Sequence, residues 1–133
     1  MEFETAHAEV VRLHDFFAAW FRGELPEDAI ETSLADALHK EFEIVPPSGA
    51  IMDRNVIIEA IRSARNTNPE FQIAIEEPRL LGSWPGFVLF QYVEHQFGIR
   101  PTGSEDRRLA TVLFERNKDT LIWRYLTEVG LST

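Results

Sequence analysis

The chain has 133 residues, a formal net charge of −9 and no cysteine. That length fits one domain spanning residues 1–133 with a single core, and the missing thiols exclude a disulfide framework, a thiolate metal site and a cysteine nucleophile. The acidic residues are dispersed and no run of Lys or Arg occurs, which excludes a phosphate-backbone reader and disfavours anionic membranes.

The opening MEFETAHAEV has no basic region followed by an apolar run, and no stretch is long enough to span a bilayer, so a cytoplasmic location is the expectation. Val10, Leu13, Phe17 and Phe21 recur at three- to four-residue spacing, which predicts an amphipathic helix from about Thr5 to Arg22 that Gly23 ends. Pro26, Glu27 and Asp28 suit the start of a second helix, with Ile30, Leu34 and Leu38 on its apolar side and His39 and Lys40 near its end. Phe42, Ile44 and Val45 predict a short strand, broken by the loop Pro46, Pro47, Ser48 and Gly49. Asp53 reads as the N-cap of a third helix with Val56, Ile57, Ala60, Ile61 and Ala64 on one side, stopped by Asn66 to Pro69.

From there the period becomes strand-like. Strands are expected over Phe71 to Leu81, Phe87 to Phe97, Arg108 to Arg116 and Leu121 to Val129, with turns at Gly82 to Gly86, Gly98 to Asp106 (including Gly103) and Asn117 to Thr120. Helices first and a meander afterwards predict an α+β fold of three N-terminal helices packed on a curved antiparallel sheet. In Phe87 to Phe97 one side carries Phe87, Leu89 and Val93 and the other Val88, Phe90 and Tyr92. Both sides need cover; the chain's own helices supply one, and a second copy through a sheet-face homodimer or a curling sheet supplies the other.

The same strand carries Tyr92, Glu94, His95 and Gln96 in a greasy setting, where an unpaired carboxylate is costly. Alternation sends Glu94 and His95 to opposite faces. If Tyr92 and Glu94 lie on the same face as Trp123 and Tyr125, that face is an aromatic wall of Phe90, Phe114, Trp123, Tyr92 and Tyr125 rimmed by Glu94 and Thr127, the arrangement that better fits an apolar cavity. A one-residue slip instead groups Glu94 with Thr111, Arg124 and Glu128. Glu94 then reads as a general base with a raised pKa, or as the partner of Arg108 or Arg124. Tyr92 and Tyr125 read as oxyanion donors, or as tyrosines satisfying nearby carbonyls. Glu128 is a candidate second carboxylate about 10 Å from Glu94 across two strands.

His14, Phe17, Trp20 and Trp123 are candidate ligand-binding groups, with ordinary core packing as the plainer reading for the aromatic three and a boundary position for His14. No metal is expected: His7 and His14 lie about 10 Å apart along a helix, and His39 has no second ligand at a recognised interval. No Gly-rich phosphate loop begins a helix and no cofactor is expected; no Gly-x-Ser-x-Gly elbow occurs, which leaves serine-nucleophile hydrolysis unsupported.

The element order, together with WFRGE (Trp20 to Glu24), FEIVPPSG (Phe42 to Gly49), DRNVIIEAIRSA (Asp53 to Ala64), YVEHQ (Tyr92 to Gln96) and WRYLTEVGL (Trp123 to Leu131), resembles the nuclear transport factor 2-like superfamily, also called cystatin-like. Within it the chain looks like an uncharacterised bacterial group similar to SnoaL-like cyclases and ketosteroid isomerase relatives. That group reads approximately Tyr-Glu-Glu-x-Gln in the strand and Trp-x-His-x-His-Glu-Thr at the terminus; here Val93 replaces the first acid, and Tyr125 and Thr127 replace the histidines. The resemblance implies a cone-shaped fold with an inner pocket, and either a cofactor-independent isomerase, dehydratase or cyclase acting on a small apolar or carbonyl-containing molecule, or a non-catalytic ligand-binding or dimerisation module. Fold alone does not choose between them.

Overall fold

The apolar stripe of the N-terminal segment winds into a single long helix. In the computed structural model, which describes residues 2–99 and 104–131, this helix α1 covers Glu2–Phe21 and buries Ala6, Val10, Leu13, His14, Phe16 and Trp20. It ends in a Schellman turn: Gly23 at φ +79° donates to the Trp20 carbonyl and Glu24 to the Ala19 carbonyl, a geometry that a side chain at position 23 would strain. The predicted turn residue Gly103 lies outside the described residues.

The second helix is much shorter than its pattern predicts. α2 spans only Ala29–Ser33, a 3₁₀ turn follows at Ala35–Ala37, and strand β1 already begins at Leu38 and runs to Val45. Ile30, Leu34 and Leu38 are all buried, as a helical stripe requires, yet Leu38 reaches the core from a strand, paired with Trp123. His39 and Lys40 therefore belong to β1. A two-residue strand β2 (Met52–Asp53) precedes α3 (Arg54–Ser63), where Asp53 caps by accepting from the Val56 amide at 2.9 Å. The inward stripe of α3 is Ile57, Ile58 and Ile61; Val56 and Ala60 face out.

Four long strands complete the chain: β3 (Gln72–Ser83), β4 (Phe87–Ile99), β5 (Ser104–Asn117) and β6 (Thr120–Gly130). They form the expected antiparallel meander, within a sheet ordered β2-β1-β6-β5-β4-β3. The sheet is mixed and not antiparallel throughout, because β1 enters from the helical half and pairs parallel to β6. α1 packs against β3, β4 and β6, and α3 against β1, so the core lies between the helices and one sheet face. Burying large side chains there, with Trp20, Trp123, Tyr92, Phe90 and Phe114 inaccessible, contributes about 1.5–3 kcal/mol each.

One irregularity decides which side chains share that face. β5 and β6 pair Phe114 with Trp123 but Leu113 with Tyr125, so β6 carries one extra residue at a β-bulge. Beyond it the alternation is reset: Leu126 and Glu128 follow Trp123 inward, while Tyr125 and Thr127 turn outward opposite Leu113 and Thr111. The uninterrupted alternation that places Tyr125 and Thr127 beside Tyr92 does not occur.

Candidate functional site

His14 and Glu94 meet at the centre of the inner face. His14 sits one helical turn after Val10, and its Nδ1 lies 2.7 Å from the Val10 carbonyl oxygen, which can only accept; Nδ1 therefore carries a proton. Its Nε2 lies 2.9 Å from Glu94 Oε1, and the Gln96 amide donates to the other oxygen, Oε2. Both ionisable side chains are nearly inaccessible. Burial opposes charge on each, but on Glu94 the attraction and hydrogen bond of His14 win and hold the carboxyl below its usual range. Burial likewise pushes His14 down, and Glu94 more than reverses this, leaving the imidazole above its ordinary value. The pair is an imidazolium facing a carboxylate. The raised Glu94 pKa expected of a lone buried base is thus absent, because the base is not alone.

Glu128 is the second acid on this wall. Arg108 Nη1 donates to its Oε1 at 3.1 Å, while the same guanidinium grips Asp106 through Nε and Nη2. Burial first, then repulsion from Glu94, raise the Glu128 carboxyl to about 7 against the pull of Arg108. Tyr92 stands beside the pair, its ring edge-on to His14 at 5.4 Å between centroids, and its buried hydroxyl has no hydrogen-bond partner among the described residues. Burial and then the Glu94 and Glu128 charges push its phenol upward, so it stays a potential donor.

His14, Glu94, Gln96 and Glu128 border a cavity of about 140 Å³ between α1, α3, β1 and the inner sheet face; Tyr92, packed behind His14, does not line it. Phe17, Phe21, Phe42, Ile57, Ile61, Trp123 and Leu126 supply apolar walls, and the polar lining is confined to His14, Glu94, Gln96 and Glu128. Of the residues singled out in the sequence, His14, Phe17, Trp123 and Glu94 are brought together here. Trp20, Phe90 and Phe114 lie in the core and do not line the cavity: Trp20 donates to the Ile61 carbonyl at 2.6 Å, Phe90 packs on Phe3, and Phe114 backs Trp123 edge-on at 4.8 Å. Tyr125, 36% exposed, and Thr127 face the other side of the sheet.

Sequence reasoning left Gln96 and Glu9 out of the site and offered Glu128 only as a weak second carboxylate. Glu9, clamped by Arg12 at 2.7 and 2.8 Å, accepts from the Trp123 indole at 2.8 Å and fixes that wall. The spacing Leu121, Trp123, then Leu126, Glu128 carries the signal for the inward turn of Glu128: apolar positions two apart, interrupted by a three-residue step. On the outer face, His95 lies between Glu76 at 3.2 Å and Glu105 at 2.9 Å. Among the described residues no group of three or more His, Asp or Glu is placed to hold a metal ion, and no helix is long and apolar enough to cross a membrane.

No protein-family model matches this sequence, and no curated protein matches it. Solved structures do. A nuclear transport factor 2-like protein of unknown function from Pseudomonas aeruginosa superposes with a TM-score of 0.87 at 27% identity, covering 96% of this chain and 99% of that one. A Streptomyces avermitilis protein of the same family, provisionally assigned as a dehydratase, gives 0.78 at 12% identity over 99% and 97% of the two chains. The association domain of C. elegans CaMKII gives 0.69 at 9% over 96% and 98%. The last two likenesses show the fold alone.

The buried acids set the sign of the pH dependence. Glu128 binds its proton more tightly when folded, so its contribution favours the fold at low pH and falls as pH rises from its ordinary 4.5 to about 7, by about 3 kcal/mol in all. His14, shifted up, keeps its contribution below its ordinary 6.5 and loses it only as pH rises through the folded value; Glu94, shifted down, keeps its own until pH falls below 4.5. Urea denaturation should therefore show stability dropping between pH 5 and 8, and Glu128→Gln should remove most of that slope. A wild-type stability that is flat or rises over this range contradicts the assignment.

Proposed function

The chain belongs to the nuclear transport factor 2-like superfamily, and on that premise we propose that its inner cavity binds a small, largely apolar or carbonyl-containing molecule and moves a proton on it. The observation that carries this reading is Glu128: a carboxyl poised at about 7 in the wall of an apolar cavity, beside a fixed ion pair. A group that exchanges its proton near the working pH is the efficient general acid or base, whereas Glu94, held ionised by His14, is a weak base. Glu128 would take the proton from an activated carbon. The His14 imidazolium, although both its N–H groups are committed, lines the same largely apolar cavity and would offset through space the negative charge that develops. An isomerase, dehydratase or cyclase type of reaction needs no more than this, and a protein of the same fold provisionally assigned as a dehydratase supports that class.

The test is a side-chain carboxyl titration by ¹³C NMR. Glu128 should titrate near pH 7 and Glu94 below the ordinary glutamate value; a Glu128 midpoint near 4.5 overturns the proposed proton carrier.

A second reading concerns the outer sheet face and is compatible with the first. Tyr125 and Val129 are exposed, at 36% and 60%, in line with half-buried Leu109 and Leu113 on β5 and with Leu89 on β4. An apolar sheet face of this kind fits a homodimer, and an association domain shares the fold. Size-exclusion chromatography with light scattering should give twice the 15.3 kDa chain mass at micromolar concentration, and Val129→Arg with Tyr125→Glu should give the monomer. A wild-type monomer under these conditions ends the dimer reading.

A further inference from the structure

The hydrogen-bond inventory of the cavity narrows what it can hold. This step rests on the reading of the cavity as a ligand site. Both His14 nitrogens are committed, Nδ1 to the Val10 carbonyl and Nε2 to Glu94; both Glu94 oxygens are committed, to His14 and to Gln96. Arg108, the nearest other cation, is committed to Asp106 and to Glu128 Oε1. Among the described residues no cation facing this wall is left for an anionic ligand. Glu128 is different: its side chain is 7% exposed, it lines the cavity, and its Oε2 makes no hydrogen bond among the described residues. Once Glu128 is ionised, a carboxylate oxygen facing an apolar cavity with no donor is costly, so the partner that the charged form lacks is a donor.

Size gives the second limit. The cavity measures about 140 Å³, and an apolar protein cavity of about 150 Å³ is known to take up benzene. We infer that the occupant is a single-ring-sized apolar molecule that carries a hydrogen-bond donor, a hydroxyl or a protonated amine, anchored on Glu128, and that bears no carboxylate. A carboxylate would enter facing Glu94 and Glu128 with neither His14 nor Arg108 free to receive it. The ring packs against Trp123, Phe17 and Leu126, and the donor end reaches the acidic wall. The two donor chemistries separate by pH: the groups facing Glu128 are Glu94 and Tyr92 from β4, Arg108 and Asp106 from β5 and His14 from α1, and the Glu128 carboxyl, raised to about 7, changes charge between pH 6 and 8. An ammonium gains as Glu128 ionises; a hydroxyl does not.

Four probes of one shape test this on the full chain: toluene, benzyl alcohol, benzylamine and benzoate, titrated by calorimetry at pH 6 and pH 8 with the Trp123 indole N–H followed by NMR. At least one of benzyl alcohol and benzylamine should bind tenfold or more tighter than toluene, with the Trp123 signal shifting, and benzoate should bind at least a hundredfold weaker than the better of the two. Benzylamine tightening about tenfold from pH 6 to pH 8 assigns the amine; benzyl alcohol binding tighter with no pH effect assigns the hydroxyl. Glu128→Leu should abolish the preference over toluene while toluene still binds. Should that variant fail to fold, Glu128→Gln should weaken benzylamine tenfold and spare benzyl alcohol. Benzoate binding as tightly as the alcohol, or toluene binding as tightly as both donors, overturns the inference and leaves the cavity reading intact. Failure of all four probes, toluene included, overturns the cavity reading itself.

Discussion

The rest of the site depends on the contact between His14 and Glu94. An ionised carboxylate in this apolar interior is tolerable only with a countercharge and filled lone pairs, and the chain supplies both: an imidazolium from α1 on one oxygen and the Gln96 amide on the other. The imidazolium in turn needs a fixed orientation, which the Val10 carbonyl one turn back provides. Because the pair ties α1 to β4, it fixes the spacing between helix and sheet and so the width of the cavity beside it. The same pair alters its neighbour. With Glu94 held negative, Glu128 is the carboxyl that burial and repulsion can raise, and a single wall comes to hold one permanently charged and one exchangeable acid.

The β6 bulge is what brings that second acid in. Without it, β6 would present Trp123, Tyr125 and Thr127 inward; with it, the inward set is Trp123, Leu126 and Glu128. One extra residue thus exchanges a phenol and a hydroxyl for a leucine and a carboxyl, and delivers Tyr125 to the outer face, where it adds to an apolar surface. Cavity chemistry and outer-face chemistry are coupled through a single local irregularity.

The parts that were legible in the sequence are those governed by periodicity and capping. The stripe through Val10, Leu13 and Phe17, the Asp53 cap and the four-strand meander are all found where the residues point. The apolar context of Glu94 marked it as a carboxylate needing a partner, but the partner came from eighty positions earlier on another element, and spacing along the chain carries no information about such a contact. Hence the base-like pKa expected of Glu94 gave way to a lowered one. Leu38 shows the opposite failure. Its spacing from Ile30 and Leu34 is helical, yet parallel pairing with Trp123 outweighs that local preference. The bulge escaped for a third reason: alternation is a rule about regular strands, and only the three-residue step from Trp123 to Leu126 marks the exception.

A double-mutant cycle on His14→Leu and Glu94→Leu, read by urea denaturation at pH 7, tests the central claim most directly. If the two side chains form a buried ion pair on which the interior is built, each single change leaves an uncompensated buried group, and their coupling should be about 3 kcal/mol. A coupling within about 0.5 kcal/mol of zero would contradict the account, because His14 and Glu94 would then be independent residues that happen to border the same cavity.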